Sequence, residues 1–178
     1  MVPASSVHIG LLSDTHSHWD DRMAHHLADC DEIWHAGDLG DLSVLDSMQA
    51  LVPNPVRIVY GNIDNAQIRA ETSEILCWEQ AGMTILMLHI GGRPGRYAKG
   101  VRALLTHHRP DLFICGHSHL LRIERDESFG GLYCNPGAAG YHGFHRVRTL
   151  VKFRLSEGAL HDVRVIELGE RIKKISHL

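Results

Sequence analysis

The stretch Val7–His16, VHIGLLSDTH, constrains the fold more than any other part of the chain. Its apolar residues form a run that is too short for a helix and is typical of a buried strand. The run ends at Ser13, and Asp14 and His16 follow. Because side chains two residues apart on an extended chain point to the same side, we expect this carboxylate and imidazole to lie together. A buried strand that ends in metal-binding side chains predicts one edge of an active site.

The next segments repeat this arrangement of an apolar strand followed by polar side chains. Glu32–Ala36 runs into Gly37 and Asp38, and the strand Val56–Tyr60 runs into the sequence GNID, which contains Asn62. Apolar residues at helical spacing predict helices between these strands. The first lies within residues 17–30, with Asp20 or Asp21 as its N-cap, and the second covers 41–52. Alternating strands and helices favour βαβ units with right-handed crossovers, whose ligand sites lie beyond the carboxyl ends of the strands.

The second half of the chain predicts a hairpin, a helix and further strands. Alternating patterns indicate paired strands at 75–79 and 83–90, with His89 at the end of the second strand, before a glycine-rich loop at 91–95. A helix over 97–108 precedes the strand 112–115, which runs into Gly116, His117 and His119. Strands at 147–155 and 163–168 follow, and the polar segment 168–178 is predicted to be a C-terminal tail. With no linker or repeat in the sequence, residues 1–178 are predicted to form a single domain.

Composition excludes several classes of protein. The 178 residues are 44% hydrophobic and 22% charged, as in an ordinary globular domain, and the net charge of −3 argues against stable nucleic-acid binding. The longest apolar run, Met83–Leu88, is too short to cross a membrane. The four cysteines contain no C-x-x-C pair, and the N-terminus does not resemble a signal peptide, which predicts a reducing cytoplasm.

The side chains at the strand ends are oxygen and imidazole ligands without a thiolate. This set suits Mn²⁺, Fe, Zn²⁺, Ni²⁺ or Co²⁺ better than a structural zinc site. Seven such ligands are too many for one tetrahedral ion and suit two ions that share a carboxylate. They are Asp14, His16, Asp38, Asn62, His89, His117 and His119.

The order of these motifs along the chain resembles a known family. D-x-H, G-D, G-N-x-D, a lone His after an apolar strand, and G-H-x-H occur in the order found in the calcineurin-like metallophosphoesterase superfamily. The short chain and the N-P-G turn at 135–137 resemble its small YfcE-type phosphodiesterases, relatives of the retromer subunit Vps29. The resemblance covers about residues 7–168. It implies a mixed α/β (α+β) fold, a four-layer αββα sandwich with two mixed β-sheets.

The resemblance also implies roles for the seven ligands. One divalent metal, Mn²⁺ by preference, is expected on Asp14, His16, Asp38 and His119. The second is expected on Asp38, Asn62, His89 and His117, so that Asp38 bridges the two ions and Asp64 supports the Asn62 loop. The implied reaction is attack on the phosphorus of a phosphate ester by a hydroxide between the metals, in line with the leaving group. Asp14, Asp38, Asn62 and His117 are the residues to which this reaction assigns a catalytic role.

The sequence departs from the family pattern at the expected substrate side. Many members carry a histidine or cysteine after the G-N asparagine, whereas this chain has Ile63, which cannot protonate a leaving group. Substrate contacts are expected from Asn62, from Arg93 and Arg96 of the distinctive loop, and from His142 after the N-P-G turn. Alternatively, the two arginines belong to a solvated basic loop and do not contact the substrate.

Two other classes of function are alternatives to a phosphoesterase. The first is a protein-interaction scaffold on the same fold, which should have lost ligands, whereas all seven are present. The second is a metal-dependent amidohydrolase, which would carry H-x-H on its first strand and form a longer barrel. A P-loop NTPase is excluded because no G-K-[ST] follows the glycine-rich loop. A phosphate-ester substrate is therefore the expected partner, and self-association into a homo-oligomer is a further expectation.

Overall fold

The computed structural model describes residues 6–54 and 56–172. Its helices are α1 (Asp21–Leu27), α2 (Leu42–Leu51), α3 (Ala66–Glu71) and α4 (Val101–His108). Its strands are β1 (Val7–Leu12), β2 (Glu32–His35), β3 (Arg57–Ile58), β4 (Ile75–Gln80), β5 (Met83–Leu88), β6 (Gly92–Arg93), β7 (Arg96–Tyr97), β8 (Leu112–Ile114), β9 (Arg122–Asp126), β10 (Gly131–Asn135), β11 (Val147–Ser156) and β12 (Ala159–Glu170). No helix among these residues is long and apolar enough to cross a membrane.

The strands form two mixed five-stranded sheets and a small two-stranded ribbon. The first sheet has the order β12-β11-β1-β2-β3, in which β1, β2 and β3 are parallel and β11 and β12 are antiparallel to their neighbours. The second has the order β4-β5-β8-β10-β9, with a parallel centre of β5, β8 and β10. The ribbon pairs β6 with β7.

Alternation along β1 shows how the layers stack. Ile9 and Leu11 pack between the two sheets, against residues such as Ile85 and Ile114 of the second sheet. Leu12 points to the other face and packs with Met23 of α1 and the core residues of α2. On the outer face of the second sheet, α4 packs against β5 and β8. The result is the predicted αββα sandwich with two mixed sheets.

Most elements lie where the sequence predicts them, and their ends follow local chemistry. Asp20 caps α1 by accepting a hydrogen bond from the Met23 N–H, and Asp41 caps α2 through the Ser43 N–H. The Ala81-Gly82 turn has positive φ at both residues, which matches the twist of the β4–β5 hairpin. Helix α1 begins directly after Asp20, one of the two predicted N-caps, but ends at Leu27 and does not reach Cys30, which the predicted helix included.

Three segments differ from the prediction. Helix α3 was not predicted, because its six residues bury only Ile68 and show no apolar period. The glycine-rich segment 91–95 is not simply a loop, since it contains strand β6 and the turn to β7. The tail predicted at 168–178 is strand up to Glu170, because β12 stays paired with β11, across two register shifts, up to the pair Val147 and Glu170. The remaining tail residues 173–178 lie outside the described residues.

Candidate metal centre

The carboxyl ends of β1, β2, β5 and β8 meet at one edge of the sandwich. The Asp14 N–H donates to the Gly37 carbonyl over 2.9 Å, and the His16 N–H donates to the Asp38 carbonyl over 3.0 Å. Within the second sheet, the Gly116 N–H after β8 donates to the His89 carbonyl after β5 over 3.0 Å. Backbone hydrogen bonds therefore join the loops before any side chain is considered.

The backbone at these loops is strained in a way that marks a site. Asp14, His16, Asp38, His117 and His119 all have positive φ, between 47° and 67°. L-residues rarely adopt this conformation, and it persists where surrounding contacts enforce it, most often at functional sites. The extended chain expected between Asp14 and His16 is thus wrong, although the two side chains do meet. Tight left-handed turns bring them together.

Two groups of side chains present ligand atoms within 4.8 Å of one another. The first consists of Asp14, His16 and His119, and the second of Asp38, His89 and His117. These groups divide the predicted ligands as the resemblance implies. Asn62, the seventh predicted ligand, lies in the loop after β3 and lines the same cavity as His89, and its role as a ligand stays a prediction.

Asp38 lies between the two groups. Its Oδ2 is 3.6 Å from the His16 Nε2 of the first group and 3.2 Å from the His89 Nε2 of the second. Asp14 is similarly close to both, with its Oδ1 3.2 Å from the His119 Nε2 and 4.0 Å from the His89 Nε2. The groups are therefore adjacent parts of one centre.

Unpartnered polar atoms show that the centre fits a cation. The Asp14 Oδ1, the His16 Nε2 and the His89 Nε2 are buried and make no hydrogen bond within residues 6–54 and 56–172. Buried polar atoms without a partner are costly, and these three are atoms of the kind that ligate divalent metals. The donor set therefore fits a metal held by imidazole nitrogens and carboxylate oxygens.

Hydrogen bonding fixes the orientation of His89. Its Nδ1 lies 2.7 Å from the Ala36 carbonyl, which can only accept, so Nδ1 carries the proton and Nε2 presents a lone pair to the centre. Burial lowers the pKa of His89, but Asp38 and Asp14 outweigh burial and leave this pKa above its ordinary value. The carboxylates thus make the centre attractive to positive charge.

Gly37 makes room for this imidazole. Its φ is +98°, and a Cβ there would lie 2.5 Å from the His89 Nδ1. A larger residue would displace the ring and strain the turn. The glycine before Asp38 is therefore required by the geometry of the centre.

Asp64 supports the centre from behind, as predicted. Its Oδ2 accepts hydrogen bonds from the N–H groups of Asp38 at 3.1 Å and Gly61 at 2.7 Å, and its Oδ1 accepts from Gly40 at 2.8 Å. The Ile63 N–H in turn donates to the Asp38 Oδ1 over 3.1 Å. One buried carboxylate thereby connects the loop that carries Asp38 to the loop that carries Asn62.

Comparison with known proteins agrees with this geometry. Residues 7–158 match the family described as the calcineurin-like phosphoesterase superfamily domain. The chain belongs to this superfamily. A probable metallophosphoesterase from Methanothermobacter thermautotrophicus is 29% identical over 135 residues, which are 73% of this chain and 76% of that protein.

Solved structures show the same fold at low sequence identity. Vps29 from Chaetomium thermophilum has a TM-score of 0.73 at 14% identity, covering 91% of this chain and 97% of its own. A novel archaeal phosphodiesterase has a TM-score of 0.71 at 20% identity, covering 90% and 99%. Membership of the superfamily supports a hydrolase that acts on phosphate esters and implies divalent metal binding.

The predicted substrate residues lie in different surroundings. Asn62 is exposed and shares a cavity wall with His89. The His142 ring centroid lies 4.5 Å from that of His16, so His142 covers the first group of ligands. Arg93 and Arg96 pair with each other across the β6–β7 ribbon, and both are exposed. Their contact with substrate stays a prediction.

The N-P-G turn braces the loop that carries His117 and His119 in this phosphoesterase. The Asn135 Nδ2 donates to the Gly116 carbonyl over 2.8 Å and to the Ser118 Oγ over 3.1 Å. The next residues hold the first ligand loop, since the Gly140 N–H donates to the Asp14 carbonyl over 3.0 Å. The turn therefore positions ligands from two strands.

His35 belongs to no motif in the sequence, and its part in the site was not predicted. Its Nδ1 accepts from the Gly37 N–H over 3.1 Å, so its Nε2 donates to the Thr15 Oγ1, 3.0 Å away. Burial lowers the pKa of His35 to about 4. A neutral imidazole thus connects the Asp14 and Asp38 loops. Its position at the end of β2, one strand from Thr15, was the available signal.

Proposed function

We propose that this protein is a phosphodiesterase that uses two divalent metal ions, with Mn²⁺ as the preferred metal. The first ion would be held by Asp14, His16, Asp38 and His119, and the second by Asp38, Asn62, His89 and His117. The observation that carries the proposal is the position of the Asp38 Oδ2, within 3.6 Å of one imidazole from each group. A carboxylate placed in this way suits a bridge between two ions.

When bound, two such ions neutralise phosphoryl oxygens and lower the pKa of a water molecule to about 7. The protein's own residues supply the rest of the catalysis. Asp14 and Asp38 hold fixed negative charge in the buried floor, and hydrogen bonds from the His117 and Ile63 N–H groups orient these carboxylates. The exposed amide of Asn62 and imidazole of His117 lie on the open side, where they would orient the ester for in-line displacement.

Ile63 favours a particular class of leaving group. Its side chain is 45% exposed beside Asn62, where a histidine would offer a proton to the departing oxygen. Isoleucine offers none, so we propose that esters of acidic alcohols or phenols react fastest. This feature supports activity on activated diesters in particular.

The cysteines support a reducing location. All four are free, and burial raises the pKa of the Cys30 thiol to about 12, which keeps it protonated and unreactive. We therefore propose the cytoplasm as the compartment. Self-association into a homo-oligomer stays a prediction.

The test is hydrolysis of bis(4-nitrophenyl) phosphate by metal-stripped protein, by protein reloaded with Mn²⁺, and by reloaded Asp38→Asn protein. We expect turnover only after reloading, and a loss of at least about a hundredfold in the variant, because the shared ligand has lost its charge. Asp46→Asn, on the exposed face of α2, is the matched control and should retain full activity.

Two results would contradict the proposal. Reloaded protein that is inert with Mn²⁺, Fe²⁺, Zn²⁺, Ni²⁺ and Co²⁺ on both monoesters and diesters would favour an interaction scaffold on this fold. Full activity of the Asp38→Asn variant would remove the shared ligand from the mechanism. Metal analysis of the same samples by atomic emission spectrometry would give the number of metal ions bound per chain.

A further inference from the structure

A cavity of about 320 Å³ adjoins the second group of ligands. Asn62 and His89 form part of its wall, so it opens beside the position at which the phosphorus of a substrate would be held. Sites for small organic molecules in proteins have volumes of about 300–1,000 Å³. The cavity is therefore large enough for one ester group of a bound substrate.

One part of the cavity wall is a group of aliphatic side chains. Ile75, Leu88, Ile90, Val101 and Leu104 supply aliphatic side chains from β4, β5, the loop after β5 and α4. Ile75 is 39% exposed and Ile90 is 44% exposed, although both lie next to well-packed strands. Large aliphatic side chains left exposed around a concave site mark a surface that another apolar group covers.

Most polar groups in the wall are already paired. The Tyr60 hydroxyl donates to the Glu74 Oε2 over 3.0 Å, and the Arg69 Nε donates to the Asp64 carbonyl over 2.7 Å. The Arg69 guanidinium also lies 4.6 Å from the centre of the Tyr60 ring. Lys99 is a charged wall residue that makes no ion pair within the part of the chain described here. Among the described wall residues, Lys99 and the exposed Asn62 amide are left to meet the polar part of an occupant.

Further exposed apolar side chains are close in sequence to predicted site residues. Ile63 follows Asn62, Leu120 follows His119 and is 64% exposed, and Phe144 is fully exposed two residues after His142. A site for a small polar ester, such as a sugar phosphate, would present hydrogen-bonding groups at these positions.

We propose that the substrate is a phosphodiester with one large apolar ester group, either a ring system or an alkyl chain, and that the cavity holds this group. The inference rests on the proposed function and adds the substrate class. It assigns Ile75 and Ile90 to substrate selection, a role that depends on their apolar surface.

The test measures binding without turnover. Mn²⁺-loaded protein is titrated by calorimetry with methylphosphonate, phenylphosphonate and octylphosphonate, whose carbon–phosphorus bonds are not hydrolysed. We expect the better of the two large ligands to bind about tenfold more tightly than methylphosphonate, because it buries apolar surface in the cavity. The phenyl and octyl arms distinguish a ring from a chain.

Variants connect this preference to the cavity. In Ile75→Asn and Ile90→Asn the preference should fall to about threefold or less, because the amide interrupts the apolar wall. The matched control is Val163→Asn, which replaces a side chain of similar exposure, 43%, on β12, and should keep the preference. The metal content of each variant shows that its metal-binding residues still hold Mn²⁺.

The outcomes separate the two levels of the proposal. Equal affinity for the three phosphonates, together with intact metal-dependent hydrolysis, overturns the substrate class and leaves the phosphodiesterase proposal standing. A preference that survives in both isoleucine variants also overturns the assignment to this cavity. Absence of both hydrolysis and phosphonate binding overturns the proposed function and this inference with it.

Discussion

At the scale of single residues, Asp64 shows how much the centre depends on a side chain that touches no substrate. Its carboxylate is 3% exposed and accepts three backbone hydrogen bonds, from Gly40, Asp38 and Gly61. A carboxylate accepts at both oxygens, whereas an amide offers one oxygen and directs two N–H donors at the other position. The identity of this residue, and not only its size, therefore matters.

The substitution Asp64→Asn should weaken metal binding by about tenfold to a hundredfold, the effect typical of losing a group that orients metal ligands. The N–H groups that face the new amide lose their acceptor, so the Asp38 and Asn62 loops are held less well. A calorimetric titration of metal-stripped protein with Mn²⁺ measures the change in metal affinity. Asp46→Asn should behave as wild type; an unchanged affinity in Asp64→Asn would show that the loops hold their positions without it.

The sequence predicts the ligands at this scale better than their backbone. Asp14, His16, Asp38 and the later histidines could be identified because each follows an apolar strand at a recognisable spacing. Their left-handed conformations could not be identified, because a positive φ at a non-glycine residue is imposed by contacts that are distant in sequence. His35 was missed for the same reason, since its partner Thr15 lies on the neighbouring strand.

At the scale of elements, α3 supports the loop that carries Asn62. Asn65 caps the helix by accepting hydrogen bonds from the Gln67 and Ile68 N–H groups, each at 3.0 Å. From its last turn, Arg69 donates to the carbonyls of Asp64 at 2.7 Å and Gly61 at 3.2 Å. The helix was invisible to periodicity, but an asparagine before a short run of good helix formers was a usable signal.

Replacing Arg69 by Lys should loosen this loop, because a single ammonium cannot reproduce the planar fork or its stacking on Tyr60. Losing about one hydrogen bond corresponds to about a fivefold change in the opening equilibrium. Hydrogen–deuterium exchange of residues 61–64 should therefore be faster by about that factor. Arg102→Lys, on the exposed face of α4, is the matched control, and equal exchange in the two variants would contradict the role given to α3.

At the scale of the whole molecule, the ligands come from both halves of the sandwich. The first sheet supplies Asp14, His16 and Asp38, and the second supplies His89, His117 and His119. The layers could be predicted because the sequence near both ends of the chain has the apolar and alternating patterns of buried and half-buried strands. The pairing of β1 with β11, which lies near the other end of the sequence, could not be derived from local patterns. The centre is therefore formed only when the two sheets pack.

Because His35 is buried between the Asp14 and Asp38 loops, the stability of the whole fold depends on pH. Burial lowers the pKa of His35 to about 4 from an ordinary value of 6.5, so the unfolded chain takes up a proton that the folded protein excludes. The free energy of unfolding therefore has its full value above about pH 6.5 and decreases as the pH falls toward 4. Near pH 5 this residue alone should remove about 2 kcal/mol from the free energy of unfolding.

The variant His35→Gln cannot titrate, so its loss of stability between about pH 7 and pH 5 should be smaller than that of wild type by about 2 kcal/mol. Urea unfolding of metal-free protein at the two pH values measures this difference. The other histidines remain present in both proteins, and His161→Gln, exposed on β12, controls for removal of any imidazole. If His35→Gln showed the full wild-type pH dependence, the neutral imidazole between the Asp14 and Asp38 loops would have no part in it. If the difference appears, folding of the two sheets and assembly of the metal centre share one titrating group.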